Sequence, residues 1–326
     1  MRLIHNENLM PQINLAIEEY LLENSTEDIF MLWRNSPSII VGRNQNTMVE
    51  INYSYVIENK INVVRRMSGG GAVFHDLGNV NYTFITDYNK ESVMNFGKYA
   101  QPIIDALAGL GISAEIRGRN DIVIGDKKIC GNAQYILGNR IMHHGCILFS
   151  AKLDNLQQAL NVNAEKLKGK GAASVRSRVA NIIDYLDKKM EVTDFISYLE
   201  DYILKHYEGS RIVNLSESEM EGIKRISESK YANWDWNFGK SQEYNFRNQA
   251  RFNAGSVEVI MNVESGIIKN CRIFGDFFNI KPVSELENML VGQKHEFLCI
   301  NDLISRIPVD QYIVGLSDKE LLSLLF

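Results

Sequence analysis

The sequence predicts an α/β protein built as a larger first domain followed by a small α+β second one. Three observations carry this expectation. The chain has 326 residues, enough for roughly two domains. Its earlier part interleaves short β-type runs with stretches whose apolar residues recur at helical spacing. A polar stretch at 237–246 then interrupts the pattern, which restarts at Arg247. The expected domains are therefore residues 1–240 and 247–326.

Hydrophobic residues make up 45% of the chain and charged residues 23%, ordinary for a soluble chain that buries a core. The net charge of −5 argues against a general affinity for nucleic acid. The first residues hold no apolar signal core, and no run approaches the roughly 18 apolar residues of a membrane span. Cys130, Cys146, Cys271 and Cys299 lie far apart, without a Cys-x-x-Cys pair. They read as reduced thiols of a cytoplasmic protein, with neither a metal site nor a disulfide framework expected.

Taken in order, Ile13, Ile17, Tyr20 and Leu21 put an apolar face on a helix from Pro11 to Asn24. β-type runs follow at Ile29–Arg34 and Ser38–Gly42, then a polar loop holding Arg43. A run at Ile61–Val64 enters the stretch from Arg65 to Asn79, and another at Asn81–Thr86 leaves it. That stretch holds two arginines, three consecutive glycines and His75. Consecutive glycines let the backbone take φ > 0 and press its N–H groups against a ligand. Such N–H groups cup an anion, and arginine forks suit phosphate or carboxylate. The residues fit a loop that grips an anionic small molecule. They also fit a sharp turn beside a solvated arginine pair. The Gly-Lys-Ser/Thr ending of a P-loop is missing, and no helix pattern follows the glycines as a dinucleotide fingerprint requires.

Phe96, Tyr99, Ala100, Ile103, Ile104 and Leu107 form one apolar stripe on a helix from Phe96 to Leu110, read as core packing. Ile112–Arg117 reads as a strand. Gly125-Asp126 between two β-type runs is a two-residue hairpin signal. In that hairpin Val123 faces Lys128 and Asp121 faces Cys130. Asp121 and Lys128 then share a face as diagonal neighbours, while Lys127 points away. Lys128 is therefore the candidate active lysine, although a surface hairpin with two solvated lysines fits the same residues. Ile141–Ser150 reads as a strand that sends His143 and His144 to opposite faces, so the two cannot ligate one metal together. One is expected in a core or pocket and the other facing solvent. Lys168–Arg178 is rich in glycine and basic residues. It suits a loop that orders over a phosphate, or a plain mobile surface loop. Thr193–Tyr207 is amphipathic, and Ser216-x-x-Glu219 reads as a capping box. In the second domain, Ser256–Val263 and Ile267–Phe274 read as strands joined at Gly266. Pro282–Val291 and Asn301–Phe326 supply helical segments.

Five blocks occur in order: Arg-Arg-x-Ser-Gly-Gly-Gly-Ala-Val-Phe-His-Asp-x-Gly-Asn, Gly-Arg-Asn-Asp, Lys-x-x-Gly-x-Ala, His-His-Gly and Ser-Val-Arg-Ser-Arg-Val. With Leu32-Trp33-Arg34-Asn35 and Trp234-Asp235-Trp236-Asn237-Phe238-Gly239, the chain resembles lipoate-protein ligases along nearly its whole length. The resemblance implies the mixed-sheet fold shared with biotin-protein ligases, carrying a small C-terminal accessory domain. It implies that ATP, with Mg²⁺, activates lipoate as lipoyl-AMP, and that the lipoyl group then passes to a lysine of an acceptor protein. The expected acceptors are apo lipoyl domains of 2-oxoacid dehydrogenase E2 subunits or the glycine-cleavage H protein. By the same resemblance Lys128 would be catalytic, bridging carboxylate and phosphate. Arg66, Gly69, Gly70, Gly71, Ala72, Val73, Phe74 and Asn79 would hold ATP and lipoyl-AMP. Asn120, Asp121, Lys128, Ala133, Ser174, Val175, Arg176 and Val179 would complete that nucleotide site. Arg66, Ser68, His75, Lys128 and His144 would contact lipoate.

The nearest alternative is an octanoyltransferase or lipoyl amidotransferase of the same fold, which uses a cysteine thioester and no ATP. The short stretch from Asp121 to Lys128 leaves no room for the Cys-bearing insert such enzymes carry. Cys130 and Cys146, where the ligases often have a hydroxyl residue, keep that alternative open. A biotin-protein ligase lacks support, because its Gly-Arg-Gly-Arg loop is missing. A non-catalytic lipoate-binding protein fits poorly with a pocket that keeps Arg66, Lys128 and Asp121 together.

Overall fold

The computed structural model describes residues 1–90, 93–160, 178–238, 246–264, 266–295 and 297–326. In chain order its first strands are β1 (Arg2–Ile4), β2 (Ile29–Trp33), β3 (Ser38–Val41), β4 (Asn62–Arg65), β5 (Val73–His75) and β6 (Asn79–Asp87). β7 (Glu115–Arg117), β8 (Asp121–Ile124), β9 (Lys127–Leu137), β10 (Arg140–Leu148) and β11 (Arg211–Val213) follow. Among the described residues, eight of them form one sheet in the order β11-β1-β2-β6-β10-β9-β8-β7. β1 runs parallel to both neighbours, and the stretch from β6 through β10 and β9 to β8 and β7 is antiparallel. A small sheet, β4-β3-β5, lies apart. It carries the glycine-rich stretch between β4 and β5.

Alternation along the strands sends two sets of side chains to two covered faces. Phe30, Leu32, Tyr82 and Phe84 pack with Tyr99 and Ile103 of the helix Phe96–Gly109 and with Phe195 and Leu199 of the helix Val192–His206. Met31, Trp33, Ile85 and Met142 pack with Leu15 and Leu21 of the helix Pro11–Asn24 and with Ile223 of the helix Glu217–Ile226. This double cover corrects the expectation for β10. His143 and His144 do face opposite sides, but both are buried, at 0% and 8% exposure. His143 stacks on the rings of Tyr99 and Tyr82, whereas His144 turns to the other face.

The capping box at Ser216 forms as expected, with Ser216 Oγ accepting from the Glu219 N–H and the Glu219 carboxylate accepting from the Ser216 N–H. The first residue of the stretch expected as a linker, Asn237, belongs to ordered structure. Trp234–Asn237 closes a helical turn, and Asn237 is buried.

The C-terminal domain is a three-stranded antiparallel sheet of β12 (Phe246–Phe252), β13 (Gly255–Glu264) and β14 (Ile267–Gly275). Val257, Val259 and Ile273 pack there with Leu286, Leu290, Ile304 and Leu321 of the helices that follow. β12 had no clear apolar alternation because its residues are only partly buried or exposed.

Candidate active site

The hairpin β8–β9 turns at Gly125-Asp126, and Gly125 takes φ 54° there. Ile124 faces Lys127 and Val123 faces Lys128, as expected. A bulge then shifts the register, so that Ile122 faces Cys130 and Asp121 faces Gly131, not Cys130. One extra residue on β9 bends the ladder without moving Lys128 off the face it shares with Asp121. Lys128 Nζ lies 2.7 Å from Asp121 Oδ1. Both side chains are more than a third exposed, at 38% and 36%, so the pair adds little stability. It fixes where the ammonium stands. The base of the hairpin is stapled by two asparagines. Asn120 Nδ2 donates to the Asn132 carbonyl at 2.6 Å, and Asn132 Nδ2 donates to the Asn120 carbonyl at 3.0 Å. The Ala180 N–H donates to the Lys128 carbonyl at 3.0 Å, beside a backbone bridge between Lys128 and Val179.

The two arginines of the glycine-rich stretch do different work. Arg65 is fully buried. Its guanidinium donates to the carbonyls of Gly42, Arg43, Gln45, Trp236 and Asn237 and to Thr47 Oγ1, at 2.6 to 3.2 Å. It is a staple, which corrects the expectation of an arginine pair aimed at an anion. Burial, then the neighbouring Arg66, lowers its pKa to about 10, so it stays charged at neutral pH.

Arg66 lines the cavity described below, yet it also clasps its own loop. It donates to Ser68 Oγ at 3.0 Å and to the carbonyls of Ile40, Gly69 and Gly71 at 3.0, 2.7 and 2.8 Å. The glycines beside it are needed for two reasons. Gly70 takes φ 92°, and a Cβ on Gly69 would lie 2.3 Å from the Phe277 carbonyl oxygen. The Gly70 N–H donates to that same carbonyl at 3.2 Å. The C-terminal domain thus touches the glycine loop directly, and the Arg119 guanidinium sits 4.4 Å over the Phe278 ring.

Between the glycine loop and β9–β10 lies a cavity of about 160 Å³. Of the expected residues, Arg66, Gly70, Gly71, Ala72, Val73, His75, Asn120, Lys128, Ala133 and His144 line it. Ser68 stands behind Arg66 and His144, and Asp121 and Val179 reach it through Lys128. Three expected residues fall elsewhere. Gly69 abuts Phe277, and Phe74 packs in a core with Ile39 and Val41. Asn79 accepts from the Asp76 N–H at 2.8 Å and reaches Cys146 Sγ at 3.3 Å. Ser174, Val175 and Arg176 lie outside the described residues, as does most of the basic segment that ends at Arg178.

The inner end of the cavity is polar. Ser68 Oγ and His144 Nε2 share a hydrogen bond of 2.7 Å. His144 Nδ1 lies 2.9 Å from Glu18 Oε1, which also accepts from Thr83 Oγ1 at 2.6 Å. The Trp33 indole N–H donates to that threonine at 2.9 Å. His75 stands beside this chain, with its Nδ1 3.0 Å from Asn35 Nδ2.

Burial lowers the His75 pKa to about 3, with Arg66 and then His144 adding to it. In the unfolded chain the ring takes up its proton near pH 6.5. The stabilising contribution of the neutral ring is therefore complete above about pH 6.5 and is lost as pH falls towards 3. His143, lowered by burial and then by His144, acts in the same direction. At pH 4.5, two pH units below the unfolded value, His75 alone is expected to remove ~3 kcal/mol of stability. Urea midpoints measured against pH check this. His75→Gln should flatten the slope by one proton in that window, and an unchanged slope would place the proton uptake elsewhere.

Comparison with known proteins decides what this geometry belongs to. Residues 10–204 match the family model of the lipoyl protein ligase A/B catalytic domain, and residues 241–325 match that of the bacterial lipoate protein ligase C-terminus. Lipoate-protein ligase LplJ of Bacillus subtilis is 44% identical, with 100% of both chains covered. The chain belongs to the lipoate-protein ligase family. A solved structure of P. falciparum LipL1 in complex with lipoate superposes with a TM-score of 0.80 at 26% identity, over 94% of each chain. A lipoate-protein ligase A bound with ATP superposes with a TM-score of 0.65 at 26% identity, over 73% of this chain and 98% of that one.

Within this ligase family frame, the cysteines argue against the thioester alternative. A nucleophilic cysteine needs a lowered pKa. Burial instead pushes Cys130 well up and Cys146 up to about 12. The matched C-terminal model points the same way. Sequence reasoning missed Asn132, Trp33 and Glu18. Glu18 had a usable signal, because it sits with Leu15 and Leu22 on the apolar spacing of its helix and is 1% exposed. Nothing in the local sequence marked Asn132, whose partner Asn120 comes from the other hairpin strand's entry.

Proposed function

We propose that the chain uses ATP to convert lipoate to lipoyl-AMP, then passes the lipoyl group to a lysine of an apo lipoyl domain or of a glycine-cleavage H protein. The observation that carries this reading is the Lys128–Asp121 pair, 2.7 Å apart, at a cavity that also takes in the glycine loop. In the first step a carboxylate oxygen attacks the α-phosphorus and pyrophosphate leaves. Two anions must meet, so a fixed ammonium and aimed N–H donors lower the barrier. In the second step the acceptor amine attacks the acyl carbon and AMP leaves with the bonding electrons. Lys128 then faces the charge that develops on the oxygens of both steps.

Among the described residues no group of three or more His, Cys, Asp or Glu side chains could hold a metal ion. Mg²⁺ fits here as part of Mg·ATP, held mainly by phosphates and water, with Asp121 as the nearby carboxylate. It would neutralise phosphate charge. We propose that the two domains are residues 1–240 and 247–326, supported by cores that draw on separate stretches of chain. Phe96, Ala133 and Phe278 form a small cluster across the two. No described helix is long and apolar enough to cross a membrane.

The test is a mass assay on an apo lipoyl domain with lipoate and Mg²⁺, with and without ATP. An ATP-dependent lipoyl mass gain is expected. Cys130→Ser and Cys146→Ser should each keep transfer within about tenfold of the parent, against the roughly 10⁴-fold or greater loss that follows removal of a nucleophile. Transfer from an octanoyl thioester without ATP, lost in either variant, would restore the thioester mechanism.

A further inference from the structure

We infer that His75 is a specificity determinant whose ring Nε2–H donates a hydrogen bond to a sulfur of the substrate's dithiolane ring. This rests on lipoate being the substrate. The direction of the donor follows from the hydrogen bonds behind it. Asn14 Nδ2 donates to the backbone carbonyls of Asn8 and Arg34 at 2.9 and 2.8 Å, so that atom is the amide nitrogen. An Asn35 NH₂ turned toward that nitrogen would set donor against donor, so Asn35 presents Oδ1 to it, 2.8 Å away, and shares one of its two hydrogens. Asn35 therefore turns its own NH₂ to His75, and His75 Nδ1 accepts at 3.0 Å. A neutral imidazole carries one hydrogen, which must then sit on Nε2.

His75 Nε2 is buried and without a hydrogen-bond acceptor among the described residues. Of the residues holding such unpartnered buried atoms, His75 alone lines the cavity. Its polar neighbour His144 has both ring nitrogens engaged, by Ser68 and Glu18. A buried donor left unmade is costly, so a ligand acceptor is what the position calls for.

The position along the substrate follows from exposure. Lys128 and Asp121 are 38% and 36% exposed and mark the mouth, where the carboxylate must meet ATP and later the acceptor amine. His75 is 3% exposed and His144 8%, and they mark the inner end. A carboxylate at the mouth sends the alkyl chain inward and leaves the ring at the inner end. The acceptor atoms the substrate brings there are the two ring sulfurs, which are weak acceptors. An acid of the same length without sulfur leaves the N–H unpaired.

The experiment compares lipoate with 5-cyclopentylpentanoate, which keeps the five-membered ring and chain and lacks both sulfurs. kcat/KM for ATP-dependent acyl transfer is measured for both acids in the parent protein, His75→Phe and His75→Gln. The lipoate preference is expected to fall about tenfold in His75→Phe and to return in large part in His75→Gln, whose amide N–H replaces the ring donor. An equal loss on both acids in His75→Phe would place the donor at the carboxylate or in the fold, and would overturn the inference. Ser38 lies opposite His75 in the β3–β5 ladder and has an unpartnered hydroxyl of its own. Ser38→Ala should leave the preference unchanged, and a severalfold rise there would mean that Ser38 had been taking the His75 hydrogen and would overturn the inference. The parent protein gives a second readout that needs no variant. With ¹⁵N-labelled histidine, the His75 Nε2–H signal should shift with lipoate and not with the cyclopentyl acid. Identical spectra with the two acids would also overturn the inference. A parent protein that transfers neither acid with ATP would instead mark failure of the ligase reading itself.

Discussion

Lys128→Ala is expected to lower ATP-dependent lipoyl transfer by about 10²–10³-fold, the loss typical of removing one donor aimed at developing charge. The expectation comes from position. Lys128 is held by Asp121 at 2.7 Å while remaining partly exposed to the cavity. An ammonium so placed can be shared between carboxylate and phosphate as negative charge moves from one to the other. Its benefit in the transition state exceeds its benefit to bound lipoate, so kcat should fall more than KM rises. Measuring the half-reactions separately sharpens the test. Pyrophosphate release from ATP and lipoate should drop, and so should transfer from preformed lipoyl-AMP. A variant with a raised KM for lipoate and an unchanged kcat would reduce Lys128 to a binding group. Lys127 offers the internal contrast, because it pairs across the ladder with Ile124 and does not line the cavity. Lys127→Ala should leave both half-reactions close to the parent.

The choice between these two lysines shows how far local sequence carried. A two-residue turn fixes which side chains share a face near the turn, because alternation has no freedom over so few residues. The reading held for Val123 opposite Lys128 and gave way two residues later, where the bulge shifts Asp121 onto Gly131. The Lys128–Asp121 pair tolerates that slip because a long side chain reaches across a diagonal. The burial of both histidines was not legible in the same way. Alternation places His143 and His144 on opposite faces, but whether a face is wet depends on which helices pack over it, and those come from distant parts of the chain. Helix Pro11–Asn24 and its partner Glu217–Ile226 cover one side, and Phe96–Gly109 covers the other. The role of Arg65 was hidden for the same reason. Its acceptors lie near residue 45 and near residue 237, and no local pattern ties those segments to residue 65.

Arg65→Met should therefore unfold the site before it alters any chemistry. The substitution removes the donors that now satisfy five carbonyls and the Thr47 hydroxyl, all gathered around a fully buried guanidinium. Buried acceptors that lose their donors each cost free energy, and the site cannot admit water to all of them without opening, so a loss of ~4 kcal/mol is expected. The cost should show as a lower urea midpoint. Arg65→Lys should recover little, because a single ammonium with three donors cannot reproduce a planar fork. The contrast with Arg66 makes the result decisive. If Arg65 acted on the nucleotide, as two adjacent arginines in a glycine-rich loop suggest, Arg65→Lys would raise the KM for ATP while the urea midpoint stayed where it was. If it staples the loop, the midpoint falls, and the molecules that remain folded keep a KM for ATP near the parent value. The second outcome is the expected one, because Arg65 already spends its donors on segments 42–47 and 236–237 and does not line the cavity. The glycine loop then owes its shape to one arginine that does not line the cavity and to another, Arg66, that does.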